Sequence, residues 1–211
     1  MAFPCPVCAR ARQYCQNTKA IWPVQGEPLP WKYMTFAELL ARIPDYAKDM
    51  RVNLGNVMQQ AELSETQRWG TAVACAMACH NLDVIEAVLG EAAQHMPPEA
   101  LRAAKTAAAM MGMNNVYYRF QHLVKKESYR QIPARLRMQG IRTHGADPTD
   151  FELWCLAVSA VNGCESCIAS HEAVVLQKGL TEEQVTAAVR IAAVLHAVAT
   201  VMDTETVAPS E

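Results

Sequence analysis

Between Phe151 and Glu172 the chain concentrates thiols, an imidazole and carboxylates, the closest grouping being Glu152, then Cys164-Glu165-Ser166-Cys167, then Ser170-His171-Glu172. On a helix that begins near Cys164, positions 164, 167 and 171 stand at i, i+3 and i+7, so their side chains share one face. The thiols then occupy the first turn, where unpaired N–H groups and the helix dipole favour an anion and draw a cysteine pKa down from about 8.5 toward neutrality. One of them is expected to be partly thiolate at neutral pH. His171, one turn beyond Cys167, can take that thiol's proton, and a carboxylate such as Glu152 on the preceding helix can orient the ring. The chemistry is that of an activated thiol with a second thiol in reach.

Each residue also has a plainer reading. A CxxC in an apolar helix fits two buried cysteines. His171 fits an exposed helical histidine, and Glu152 fits the capping partner of Thr149 in a Thr-x-x-Glu box. Zinc would find three ligands in Cys-x2-Cys-x3-His but lacks an evident fourth, which a tetrahedral site needs, so no metal is expected. The second CxxC, Cys5-Pro6-Val7-Cys8 with Cys15 nearby, falls in a Pro-rich stretch and reads as inert. Cys75, Cys79 and Cys155 sit in Ala- and Val-rich runs and read as core fillers, and Met110-Met111-Gly112-Met113 reads as packing.

The elements that must position these residues are helical. Of the 211 residues, 51% are hydrophobic and 19% charged, with 11 Pro and 9 Gly, which excludes a disordered chain and a fibrous repeat. Abundant Ala and 11 Met against four Phe and six Tyr predict an all-α domain. A net charge of −2 leaves no basic field to attract nucleic acid. The longest nearly uncharged run, Ile191 to Met202, is short of the roughly 20 residues of a bilayer span, so no transmembrane helix is expected. The N-terminal stretch has no apolar leader core, which makes a cytoplasmic location the expectation, with reduced thiols rather than a disulfide framework.

Residues 1–33, Pro-rich and without helical period, are expected to be a poorly ordered N-terminal extension, and 208–211 a tail. Capping boxes at Thr35/Glu38, Ser64/Gln67 and Thr181/Gln184, and Asp147-Pro148 with a Thr149/Glu152 box, predict four helix starts between 34 and 207. Pro44, Asn81 to Asp83, Pro97-Pro98, Asn162-Gly163 and Gly179 separate the helices. Tyr46, Met50, Leu54 and Val57 are expected along one face, with Val116, Phe120 and Leu123 inward. Lys125 to Gly145 reads as a polar connector between a degenerate half, about 34–125, and a catalytic half, about 146–207. Laying Trp69 on Trp154 puts Cys79 on Cys164 at an offset of 85 and suggests a duplicated helical unit. At that offset the first half has Leu82 and Glu86 where the second has Cys167 and His171.

With Glu152, Cys164, Cys167 and His171 in register, and with Met111-Gly112-Met113-Asn114-Asn115-Val116-Tyr117-Tyr118-Arg119 in the first half, residues 34–207 closely resemble the alkyl hydroperoxide reductase AhpD family. That family lies within the AhpD-like, carboxymuconolactone decarboxylase-like superfamily. The resemblance implies an all-helical, internally duplicated fold, usually a homotrimer, with lipoyl-dependent peroxidase activity toward alkyl hydroperoxides and hydrogen peroxide. It implies Cys167 as the peroxidatic cysteine that becomes a sulfenic acid and Cys164 as proton donor and resolving cysteine. His171 would be the base, Glu152 the relay carboxylate, and Cys164 and Cys167 would form the redox disulfide. No bound cofactor is implied. The expected reductant is an external lipoyl dithiol on an acyltransferase subunit, and the expected protein partner is an AhpC-type peroxiredoxin; nucleic acid and membrane are not expected. A slender dithiol also suits a pair set among Ala-rich helices better than a thioredoxin surface does. Some members carry a His between the two cysteines where this chain has Ser166, so auxiliary proton transfer there is not carried over. A redox-sensing or disulfide-exchange adaptor and a decarboxylase-like enzyme are the other readings.

Overall fold

The computed structural model describes residues 34–207; the expected extension 1–33 and tail 208–211 lie outside them. Among the described residues there are nine α-helices and no strand. They are α1 (Phe36–Arg42), α2 (Lys48–Val57), α3 (Glu65–Cys79), α4 (Leu82–His95), α5 (Pro98–Val124), α6 (Glu127–Gln131), α7 (Pro148–Val161), α8 (Glu165–Gln177) and α9 (Glu182–Val207). Single turns of 3-10 helix stand at Asp45–Ala47 and Gln139–Ile141.

Side chains that satisfy the first N–H groups fix where these helices begin. Thr35 with Glu38, and Ser64 with Gln67, form reciprocal capping boxes. Thr181 and Gln184 do the same before α9. The expected Thr149/Glu152 box does not form. Asp147 caps α7 instead, accepting from the N–H groups of Thr149 and Asp150, and Pro148 occupies the first helical position. A carboxylate one residue ahead of a Pro outcompetes a threonine that the same Pro draws inside the helix.

α3 and α7 cross at the centre, with α5 and α9 packed against both. The approach is close because Gly70 faces the fully buried Trp154: a Cβ at Gly70 would overlap the indole ring. The Trp154 Nε1–H donates to the Gln67 carbonyl at 3.2 Å, so the buried ring leaves no donor unpaired. Residues Glu182–Glu205 of α9 are long and apolar enough to cross a membrane by length and composition, which corrects the expectation from the uncharged run. Scattered charges divide that run without making the helix polar. Its apolar side, with Ile191, Leu195, Val198 and Met202 buried, is part of the core.

Helix order and length repeat: 15, 14 and 27 residues in α3 to α5, then 14, 13 and 26 in α7 to α9. The caps set the frame. Ser64 and Asp147 stand 83 residues apart, as do Asn81 and Cys164. The third helices, Pro98–Val124 and Glu182–Val207, start 84 apart, so the offset of 85 between the tryptophans is not that of the helix starts, and Trp69 and Trp154 do different work. Trp154 fills the crossing, whereas Trp69 stacks on His95 with ring centroids 4.8 Å apart. In the helix frame Glu152, Cys164, Cys167 and His171 correspond to Trp69, Asn81, Val84 and Val88.

Two predicted faces are rearranged. Leu54 and Val57 are buried, but Tyr46 lies on the surface and donates its hydroxyl to Glu205 at 2.9 Å. Val116, Phe120 and Leu123 are exposed, at 60, 47 and 66%, while Met111, Asn114 and Asn115 face inward. The end of α5 therefore buries polar residues and presents apolar ones.

Candidate active site

The turn between α7 and α8 places the cysteines. Gly163, at φ +64°, takes the left-handed conformation that lets the chain reverse. Its N–H bonds the Ala160 carbonyl and the Cys164 N–H bonds the Ser159 carbonyl, the paired bonds of a Schellman motif. Cys164 then serves at once as the last residue of that motif and as the N-cap of α8, in extended conformation. No side chain caps α8, in contrast to Asn81 at the matching position of the first half, whose Oδ1 accepts from Val84 N–H. A sulfur thus stands where helix N–H groups otherwise meet a capping oxygen.

Cys164 and Cys167 are joined by a disulfide, with Cα atoms 5.4 Å apart, within the usual range for a bridge. Cys164 is fully buried and Cys167 is 8% exposed. Ser166 Oγ stands 3.7 Å from the Cys164 sulfur. The other described cysteines are set apart by chemistry. Burial pushes the Cys75 and Cys155 thiols well up and Cys79 to about 11, which keeps them protonated and inert. Cys5, Cys8 and Cys15 lie outside the described residues.

His171 Nδ1 and Glu152 Oε2 are 2.6 Å apart, both side chains mostly shielded from solvent. The hydrogen bond from His171 holds the Glu152 carboxyl below the usual glutamate range, against the opposing effect of burial. A carboxylate on Nδ1 assigns that nitrogen the proton and leaves Nε2 as the basic atom. Nε2 lies 3.3 Å from the Met111 sulfur on α5, so Met111 is a wall of the site as well as core packing. His144, which the sequence reading passed over, stacks on Phe151 with centroids 3.9 Å apart and accepts the Ala146 N–H on Nδ1. Burial lowers its pKa and the nearby Glu152 charge partly restores it.

A cavity of about 420 Å³ opens beside the turn, between α3 and α5, with Met77, Ala108, Gly112 and Val116 as apolar wall and Arg119 and Asn162 at the polar end. A Cβ at Gly112 would meet nothing within 4 Å, so this glycine leaves open space. The four residues expected to act are thus brought to two places: a disulfide on the first turn of α8, and an imidazole–carboxylate pair one turn further along.

The same arrangement of residues can be compared with known proteins. The sequence profile of the Carboxymuconolactone decarboxylase family matches residues 128–208. A protein of Solibacter usitatus named alkyl hydroperoxide reductase AhpD is 56% identical over 172 residues, covering 82% of this chain and 97% of that protein. Proteins of the same name from Rhodospirillum centenum and Acidobacterium capsulatum are 55% and 51% identical, covering 82% of this chain and 92 and 96% of their own lengths. Similarity of this extent, over the whole described domain, means that the chain belongs to the alkyl hydroperoxide reductase AhpD family.

Proposed function

We propose that this chain is an antioxidant thiol peroxidase, reducing alkyl hydroperoxides and hydrogen peroxide through the Cys164–Cys167 pair. The observation that carries the reading is the disulfide on the first turn of α8 with the His171–Glu152 pair a turn away. In the reduced protein His171 Nε2 takes the Cys167 proton, directly or through a water. The Cys167 thiolate attacks the distal peroxide oxygen, the O–O bond breaks, and the alkoxide leaves as alcohol with a proton returned by Cys164 or the imidazole. The resulting sulfenic acid condenses with the Cys164 thiol, forming the disulfide and releasing water. A dithiol then attacks the disulfide, takes its oxidation as a ring disulfide and leaves both cysteines reduced.

The burial of both sulfurs favours a lipoyl dithiol, free or on an acyltransferase subunit, over a thioredoxin surface, and the cavity beside the turn has room and apolar wall for an alkyl chain. An AhpC-type peroxiredoxin is a second electron acceptor open to the same exchange chemistry. A cytoplasmic setting supplies such dithiols. The exposed Val116, Phe120, Leu123 and Ile132 support assembly as a homotrimer.

Peroxide consumption by the full chain with dihydrolipoamide or thioredoxin at equal dithiol concentration is the test. Turnover is expected with dihydrolipoamide, several-fold faster than with thioredoxin. Cys167→Ser should abolish it, and Cys164→Ser should allow one turnover and leave a trappable sulfenic acid at Cys167. A sulfenic acid at Cys164 would reverse the two roles. Disulfide exchange without peroxide consumption would support the adaptor reading.

A further inference from the structure

One face of α5 touches the redox turn at four points. Met111, Asn115, Arg119 and His122 follow at intervals of four, four and three residues, which sets them in one stripe. Met111 Sδ meets His171 Nε2 at 3.3 Å. Asn115, 1% exposed, donates through Nδ2 to Ser159 Oγ and accepts through Oδ1 from Asn162 Nδ2, both at 2.9 Å. The Arg119 guanidinium donates to the Asn162 carbonyl oxygen. His122 Nε2 lies 3.2 Å from Glu165 Oε2, on the residue after Cys164.

Those of Arg119 and of Asn115 with Asn162 fall on the turn between the two helices. Asn162 ends α7, Gly163 is left-handed, and Cys164 precedes the first full turn of α8. Cys164 therefore takes its position from the turn, whereas Cys167 is held by the helix. A buried amide left unpaired is costly, and here both ends of the Asn115 amide are used on this turn and the helix before it. We infer that Asn115 and Arg119 are positioning residues that clamp the Asn162–Cys164 turn, holding the Cys164 sulfur against Cys167. The clamp keeps the effective concentration of the resolving thiol high, which favours the disulfide and speeds resolution of the sulfenic acid.

The second consequence rests on the proposed peroxidase cycle, but the first does not, so the experiment reads them separately. Full-length protein is equilibrated with reduced and oxidised dithiothreitol, in which formation of the protein disulfide is matched by reduction of the cyclic reagent, and the fractions are counted by alkylation and mass. Arg119→Met is expected to lower the equilibrium constant for the disulfide about tenfold, equivalent to about 30 mV for this two-electron couple. Arg119→Lys, which retains a cationic donor, should hold the change below threefold. Asn162→Ala leaves the main-chain carbonyl in place and removes only the bond to Asn115; it should shift the equilibrium in the same direction, and it guards against an Arg119 variant that fails to fold. With one equivalent of hydrogen peroxide, which carries no alkyl chain, the sulfenic acid at Cys167 should persist longer in Arg119→Met than in the wild-type protein. An unchanged equilibrium in both Arg119→Met and Asn162→Ala would overturn the clamp, as would equal shifts in the Lys and Met variants. If the wild-type protein consumed no peroxide, the peroxidase reading would fail while the dithiothreitol equilibrium still decided this one.

Discussion

At Glu152 a single hydrogen bond sets both a charge and an orientation. The carboxyl is held below the ordinary glutamate range of about 4.3 by the His171 N–H, so the folded protein keeps it ionised at pH values where the unfolded chain binds a proton. The stability this confers is fully present above the ordinary glutamate pKa and is lost as pH falls through the depressed one. Urea unfolding between pH 6 and 3 should therefore show a decline that Glu152→Gln makes shallower; an identical slope in the variant would mean that the pair is not linked to folding. In catalysis the two members differ in weight. His171→Gln removes the base and is expected to slow peroxide reduction by about 10²–10⁴. Glu152→Gln still accepts from Nδ1–H without supplying charge, so its loss should be smaller. Stopped-flow rates for both variants, with unchanged circular dichroism, measure the difference.

Between elements, the contact of α3 with α7 is made two residues from Glu152, at Trp154. Gly70 lies in the middle of a helix, where glycine costs about 0.5–1 kcal/mol relative to alanine, and the reason it is there is the indole of Trp154. Both residues are fully buried at the crossing, so the ring has no free space into which to withdraw. Gly70→Ala should cost about 3 kcal/mol through overpacking. In a domain of this size that is a fall of roughly 6–12 °C in Tm. Trp154 is two residues from Glu152, and the overpacking displaces this stretch of α7, so peroxidase activity should fall even at temperatures where the variant remains folded. Gly112→Ala, on an open stretch of α5, provides the contrast: its Cβ meets nothing, and helix propensity predicts a gain of a few tenths of a kcal/mol up to about 1. Calorimetry on the pair would separate packing from propensity.

For the whole molecule, the inverted end of α5 is the main departure from a self-contained domain. Leu123 and Ile132 are exposed at 66 and 57%, and Tyr129 and Leu136 extend the apolar surface along the segment that follows. A patch of this kind marks an interface, and in the proposed trimer it is the surface that neighbouring copies cover. Light scattering should give three times the 23.3 kDa chain mass, and Leu123→Glu with Ile132→Glu should reduce the assembly to the single chain. Because both residues are exposed in the isolated chain, the fold should tolerate the changes to within about 0.5 kcal/mol each. A trimer unaffected by both substitutions would place the interface elsewhere.

What the sequence determined by itself was whatever depends on near neighbours. Helix starts at Thr35, Ser64 and Thr181 were legible because a capping box closes within four residues. The placement of Cys167 and His171 on one helix was legible from the run that follows Gly163, and the Asn162-Gly163 break followed from glycine's tolerance of positive φ. Tertiary structure decided the rest. Glu152 was equally consistent with a cap, and only Asp147 taking that place freed it for His171, 19 residues away. Whether Val116 and Leu123 face inward depends on what α7 and α8 offer to α5, and they offer a polar turn, so the amides went in and the apolar groups out. The helix starts repeat at 83 or 84 residues and the tryptophans at 85, because small capping residues, not a large aromatic, fix where a helix begins. The contacts of Arg119 with Asn162 and of Met111 with His171 join residues 43 and 60 apart, a distance over which no local propensity acts.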